Sequence, residues 1–383
     1  MMDKIRVGLV GCGAISGGHL EAYRQLADTF EVVALCDVVE EKARKRAAEF
    51  GVAEVVTDSE ALYRRTDLDV IDICTPPFLH APMALGAMEA GKLAVCEKPL
   101  AGSLAEIDRL AEAERRTGKR VMPVFNYRFG AGLQRMKHLL QLDIPGRLFL
   151  STVETHWHRP AGYFAVRWRA GWRTALGGAF IGHAIHAHDA LYEIAGPARS
   201  VYTRGKALVN STEIEDTLVV SLEMADGSLA ALSVTFGSAI EISRHRYCFS
   251  NLVAESNPGP YASHTADPWL FKGMSEAVDA QIEAAMRDFT PEPPEGFTGQ
   301  FQRFARFVQD GEALPITIAD GRRAIELVTG VYYSMHTGQV VELPIGRDHP
   351  YYESCIPEDA GPLEEYTDFA SNREKSGWKP SDV

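Results

Sequence analysis

Three groups of residues could do chemistry, and the first is a turn. Val7-Gly8-Leu9-Val10-Gly11-Cys12-Gly13-Ala14-Ile15-Ser16 is an apolar run that breaks into glycines and then into a helical pattern. Gly11 allows the sharp turn out of a strand. Gly13, with no Cβ, lets the backbone come close to a pyrophosphate at the start of the next helix, where Ala14 and Ile15 stand and free amides favour anions. Ser16 occupies the place of the third glycine of that fingerprint, and its small side chain still permits close helix packing. The next apolar run, Glu31 to Cys36, ends in Asp37 about twenty residues beyond the turn, where a carboxylate accepts both hydroxyls of an adenosine ribose. Val38 and Val39 offer nothing to a 2′-phosphate, so the expected cofactor is NAD rather than NADP.

The second group is Glu97-Lys98-Pro99, at the end of an apolar strand-like run. Lys98 could hydrogen-bond a reacting hydroxyl, or it is a solvated lysine on a loop. In the third group, His183, His186 and Asp189 are spaced three apart and share one face of a regular helix. With His188 they raise the question of zinc, but only two of the imidazoles share that face and no Cys or Glu stands at a matching spacing, so no metal is expected.

The elements that must position these groups alternate. Strand and helix patterns follow one another through the first 125 residues, the rhythm of a parallel sheet. The helix after the glycine turn is expected to run to about Thr29, and a second runs from Glu40 to Gly51. Thr57 with Glu60, and Ser103 with Glu106, have capping-box spacing. The segments that leave the carboxyl ends of the strands, Thr75-Pro76-Pro77-Phe78-Leu79-His80, Glu97-Lys98-Pro99 and Asn126-Tyr127-Arg128, then border one crevice. Near residue 145 the pattern changes to longer strands, with a hairpin turn at Asp226-Gly227 and no second glycine fingerprint. Helices are expected at 272–287, 298–310 and 320–337. The fold class is thus α/β plus α+β: a Rossmann dinucleotide-binding domain over residues 1–125, a substrate-binding and oligomerisation domain over 126–345 with a large, mainly antiparallel open sheet covered by helices on one face, and an extended tail over 346–383.

With 383 residues, 46% of them hydrophobic, two cores can form. The net charge of −13 argues against nucleic acid or an anionic membrane surface as partner. No apolar stretch reaches the roughly 18 residues of a membrane span, and the first strand begins at once, so a cytoplasmic protein is expected. Cys12, Cys36, Cys74, Cys96, Cys248 and Cys355 lack metal-ligand spacing and read as free thiols.

Taken together and in order, these motifs resemble the Gfo/Idh/MocA oxidoreductase family, over most of the chain to about residue 345. The carriers are the glycine turn ending in His19, Cys74-Thr75-Pro76-Pro77 with His80, Ala90-Gly91-Lys92 leading to Glu97-Lys98-Pro99, Asn126-Tyr127-Arg128-Phe129, Gly177-Gly178 followed by His186 and Asp189, and the closing run Gly338 to Pro344. The resemblance implies NAD-dependent oxidation of a secondary alcohol on a sugar, inositol or related polyol. A retained-NAD enzyme that uses transient oxidation, and a non-catalytic NAD-binding regulator, are the competing readings. It implies that Lys98 orients the reacting hydroxyl and that His186 accepts its proton, with Asp189 a candidate to orient His186. It also implies substrate contacts from His183, Tyr127, Arg128, Trp168 and Asp189, and cofactor contacts from Gly11, Gly13, Ala14, Ile15, Asp37, Thr75, Pro76, His80, Glu97, Lys98 and Asn126. One departure stands out: where many relatives carry an acid four residues before the histidine, this chain has Gly182, and His183 is the candidate replacement. The Trp- and Arg-rich stretch from His156 to Arg173 reads either as a substrate lid or as an oligomer contact. A sheet with one bare face predicts a homodimer or homotetramer.

Overall fold

The computed structural model describes residues 3–363. Six short strands, β1 (Ile5–Val10), β2 (Phe30–Cys36), β3 (Glu54–Val56), β4 (Val70–Ile73), β5 (Leu93–Cys96) and β6 (Val121–Pro123), form one parallel sheet in the order β3-β2-β1-β4-β5-β6. Val7, Leu9, Ile71 and Val95 are fully buried in it, because helices cover both faces. This is the doubly wound Rossmann order, and its reversal between β1 and β4 opens the crevice in which such sheets bind ligands.

Local chemistry starts and stops the helices. Gly51 and Gly118 end theirs in the left-handed conformation, and Ser103 caps the helix Leu104–Thr117 by accepting from the Glu106 amide. Two boundaries differ from expectation. The first helix stops at Gln25, and Asp58 rather than Thr57 caps Ser59–Tyr63, accepting from the Glu60 amide at 3.0 Å because a carboxylate is the stronger acceptor.

The second sheet holds eight strands: β7 (Leu148–His158), β8 (Ala198–Lys206), β9 (Thr217–Met224), β10 (Leu229–Thr235), β11 (Gly237–Phe249), β12 (Leu252–Glu255), β13 (Leu270–Gly273) and β14 (Val341–Glu342), in the order β13-β12-β11-β7-β10-β9-β8-β14. All neighbours are antiparallel except β7 and β10. Strand β13 corrects the helix expected from 272: that helix is Glu276–Asp288, and Ser275 caps it. Leu218, Val220 and Leu222 point inward beneath helices, whereas Leu150, Val219 and Leu229 are exposed on the opposite face.

The two halves are tied together. Helix Gly296–Asp310 returns to the first unit, where Phe301 stacks on Tyr23 at 4.7 Å, and Gly321, on helix Ile318–Thr337, sits against Leu100. The stretch expected as an extended tail is packed where it is described: Tyr352 and Cys355 are buried, and Tyr352 donates to Asp108 at 2.5 Å. The rest of that tail, residues 364–383, lies outside the described residues.

Candidate active site

A cavity of about 760 Å³ lies along the carboxyl ends of the parallel strands and under the second sheet. Gly11, Gly13, Ala14, Ile15, Asp37, Thr75, Pro76, His80, Glu97, Lys98 and Asn126 line it, and so do Tyr127, Trp168, His183 and His186.

At one end, Gly11 has φ +93°, and a Cβ there would meet the Cys74 carbonyl at 2.6 Å, so only glycine lets β1 turn beside β4. A Cβ on Gly13 would meet nothing within 4 Å, which leaves the backbone open to the cavity. Ser16 is buried and donates to the Gly13 carbonyl at 2.7 Å, so the residue in the third-glycine place holds the turn in shape. The helix Ser16–Gln25 has no side-chain cap and no acidic residue in its first turn. The Gly17 and Gly18 amides turn back to the Ala14 and Ile15 carbonyls, and the amides of Ala14, Ile15 and Ser16 at its start fit a pyrophosphate. Asp37 accepts from the amides of Cys12 and Val39, both at 2.8 Å, and keeps acceptor capacity for ribose hydroxyls. These residues fit a dinucleotide.

His80 lines the cavity, but its two nitrogens lie 2.7 Å from the carbonyls of Thr75 and Pro99. Its work is to brace two cavity loops.

At the other end, the ammonium of Lys98 donates to the Gly182 carbonyl at 2.6 Å. Burial and Arg159 pull its pKa below the ordinary lysine value against the opposing pull of Glu97. That carbonyl lies in a π-helical turn, Phe180–Ala184, which feeds directly into helix Ile185–Ala195. The turn breaks the regular three-residue spacing expected of His183, His186 and Asp189. Both histidines still reach the cavity. Burial holds both imidazoles well below the usual range, with Arg159 and Lys98 adding at His183 and Lys98 at His186, so both are neutral near pH 7. His186 stacks on Tyr127 at 4.3 Å, and Tyr163 approaches His183 Nε2 at 3.3 Å.

Asp189 and Arg128 correct the expectation of substrate contact. They are absent from the cavity wall and bind each other, with Arg128 Nε donating to Asp189 at 2.6 Å and Nη1 reaching Glu193 at 3.0 Å and Asp320 at 3.1 Å. A buried guanidinium needs such partners, and its carboxylates come from two helices that only tertiary packing brings together. Asp189 is therefore not what orients His186; Tyr127 is the ring packed on it.

The Trp- and Arg-rich stretch lies on the cavity wall through Trp157, Arg159, Trp168 and Arg169. Sequence reasoning missed Tyr163 and Tyr261, which line it too. Tyr261 sits in a polar loop with no pattern to mark it. It also missed Glu215, fully enclosed, which accepts from the amides of Gly178 at 2.7 Å and Phe180 at 2.9 Å. Burial pushes this carboxyl up to about 7 against those hydrogen bonds. Glu215 explains Gly178, since a Cβ there would lie 1.7 Å from its carbonyl oxygen.

Comparisons with known proteins agree with this fold. Residues 5–125 match the family model described as "Oxidoreductase family, NAD-binding Rossmann fold", and residues 133–247 match the one described as "GFO/IDH/MocA C-terminal domain". Myo-inositol 2-dehydrogenase of Thermotoga maritima is 26% identical over 358 residues, 88% of this chain and 98% of that protein. D-glucoside 3-dehydrogenase of Escherichia coli is 24% identical over 368 residues, 89% of this chain and 98% of its own. The solved structure of the WlbA dehydrogenase from Bordetella pertussis, in complex with NADH and UDP-GlcNAcA, superposes with a TM-score of 0.80 at 27% identity and covers 90% of this chain and 100% of that one.

Proposed function

Because the chain belongs to the Gfo/Idh/MocA family of NAD-binding oxidoreductases, we propose that it oxidises a secondary alcohol of a sugar, inositol or related polyol, with Lys98 and His186 as its catalytic residues. The enzyme is an NAD-dependent dehydrogenase of the sugar and polyol type, like the relatives that match it along its length. The observation that carries the finer assignment is that Lys98 Nζ and the rings of His183 and His186 converge on one cavity whose other end has the form of a dinucleotide cradle.

NAD, when bound, supplies the hydride acceptor. Lys98 exchanges its hydrogen bond to the Gly182 carbonyl for one to the substrate hydroxyl, and its charge stabilises the alkoxide that develops on that oxygen. His186 is neutral, so an imidazole nitrogen can take the hydroxyl proton, and Tyr127 stacked beneath it limits the ring's orientation. His183 holds a second hydroxyl, filling the role left by the absent acid at Gly182. The aromatic wall of Trp157, Tyr163 and Trp168 excludes water and offers faces for sugar C–H groups.

The bare face of the second sheet, with exposed Leu150, Val219 and Leu229, supports assembly into a homodimer or homotetramer, which light scattering would read. No helix among the described residues is long and apolar enough to cross a membrane, and all six cysteines are unpaired, which fits work in the cytoplasm. The deciding experiment is a spectrophotometric screen with NAD and NADP against inositols, aldoses and glycosides. NADH formed from one of them supports the assignment. Cofactor binding with no sugar changed, across the panel, overturns it.

A further inference from the structure

The helix that carries His183 and His186 starts on a residue from elsewhere in the chain. The Glu215 carboxylate accepts from the amides of Gly178 at 2.7 Å and Phe180 at 2.9 Å, and its own carbonyl accepts from the amide between them, Ala179, at 2.9 Å. Three successive helix-start donors thus end on one residue, 35 to 37 positions later. The local cap position is Ala179, which has no polar side chain to do this. Glu215 is 2% exposed, and Tyr332 is the titratable side chain that meets it, donating to Oε1 at 3.1 Å. Gly177 makes room for Tyr332, since a Cβ there would lie 2.1 Å from its hydroxyl. The next residue fixes where Glu215 stands: Asp216 accepts from the amides of Leu208 at 2.8 Å, Val209 at 2.9 Å and Asn210 at 2.8 Å, and its carbonyl accepts from Phe236 at 2.9 Å. The carboxylate is therefore presented by the second sheet, at the entry to β9. What it holds is the π-turn Phe180–Ala184, a rare form that recurs at functional sites. The Gly182 amide closes on the Gly178 carbonyl at 2.9 Å, and the Gly182 carbonyl takes Lys98 Nζ at 2.6 Å. Any shift of the helix start passes straight to the acceptor of Lys98.

We propose that Glu215 is a positioning residue for the reaction: it sets the π-turn so that the Gly182 carbonyl meets the Lys98 ammonium and the rings of His183 and His186 reach the cavity. This rests on the dehydrogenase reading above and deepens it. The role needs acceptors, not charge. Burial pushes this carboxyl up to about 7, but a protonated carboxyl keeps acceptor capacity, and the Tyr332 hydroxyl can turn to accept the added proton. The turn is held in both forms, so this group introduces no break in activity near pH 7. Glutamine differs, because its amide nitrogen only donates and leaves Gly178 or Phe180 facing a second donor.

The test reads Lys98 without turnover, by competitive labelling with acetic anhydride across a pH series on the full chain, with NADH formation followed in parallel. In Glu215→Gln the Gly182 carbonyl leaves the ammonium, the cationic form loses its acceptor, and the Lys98 titration is expected to move down by about one pH unit. Glu97, Arg159, His183 and His186, the titratable groups that act on Lys98 or feel its charge, are the same in the variant. Turnover should fall about tenfold to hundredfold in kcat with NAD binding unchanged. Tyr332→Phe leaves both carboxylate oxygens on their amides and should leave the Lys98 titration in place. A folded Glu215→Gln with an unmoved titration overturns the proposal. So does a Tyr332→Phe that moves it equally, since that is general loosening. If Glu215→Gln fails to fold, amide hydrogen exchange on the unaltered protein decides: protection of Gly178, Ala179 and Phe180 matching the buried strands supports the proposal, and exchange at loop rates overturns it. NADH formed from a polyol at the same kcat in Glu215→Gln overturns this inference and leaves the dehydrogenase reading standing. A moved Lys98 titration with no NADH from any sugar overturns the dehydrogenase reading and leaves the hold of Glu215 on Lys98 standing.

Discussion

His19 and Glu97 meet inside the protein, Nε2 to Oε1, at 3.0 Å, and Asp72 takes the other ring nitrogen at 2.9 Å. The second oxygen of Glu97 accepts the Lys98 amide at 3.1 Å, so the helix that begins at the glycine turn is tied to the loop that carries Lys98.

Removing that imidazole leaves two buried carboxylates facing each other. His19→Leu is expected to cost about 3–5 kcal/mol of stability in urea unfolding. Burial lowers the His19 pKa, but Asp72 and Cys74 outweigh it and hold it well above 6.5. Its stabilising contribution is therefore complete below about pH 6.5 and is lost as pH rises through the higher folded value. For Glu97, burial raises the pKa but His19 and Lys98 bring it below 4.5, so its contribution is present above that pH and is lost as pH falls through the depressed value. The variant should lose the alkaline slope of stability against pH; an unchanged slope would sink this assignment.

Lys98→Met should lower kcat by about 10²–10⁴-fold with NAD binding intact, measured by NADH formation and by cofactor titration. Burial places the Lys98 pKa below 10.5, so the alkaline limb of kcat/KM in the unaltered enzyme should begin below that value. Turnover that survives the substitution removes Lys98 from the reaction.

His186→Asn is expected to reduce kcat by about 10²-fold or more while KM for NAD stays the same. Because burial holds the imidazole well below 6.5, kcat/KM should stay level as pH falls from 8 to 6.5 and decline only below that. A midpoint near 6.5 that vanishes in the variant would show an exposed, ordinary histidine instead.

Gly182→Asp has room, since a Cβ there meets nothing within 4 Å. The new carboxylate next to Lys98 should raise the lysine pKa and move the alkaline limb to higher pH. Unchanged pH dependence in a folded variant would mean that the new side chain points away from the ammonium.

Arg128→Leu strands Asp189, Glu193 and Asp320 without their shared cation. We expect about 3–5 kcal/mol of destabilisation, read by urea midpoint. In the surviving folded fraction, KM for the substrate should not change, because Arg128 is not on the cavity wall. A rise in KM with unaltered stability would return Arg128 to substrate binding.

Much of the nucleotide end was legible because its determinants are local. A glycine forced to φ +93°, an uncapped helix start and a carboxylate at the end of the next strand are properties of short segments, and their spacing alone predicts the crevice. The apolar runs likewise determine the parallel strands and where they end. The other end of the cavity was legible only in its membership: Lys98, His183, His186 and the Trp-Arg stretch could be named, but not their partners. Whether Arg128 faced a substrate or Asp189 depended on a helix starting 57 residues later, and its third carboxylate, Asp320, on one near the far end of the chain. A π-turn moved the histidines off their regular spacing, and His19 found Asp72 and Glu97 across three separate segments. Periodicity determines which side of an element is buried, but the pairing of buried charges is decided only when remote elements pack, because each must find its counter-charge inside the protein once water is gone.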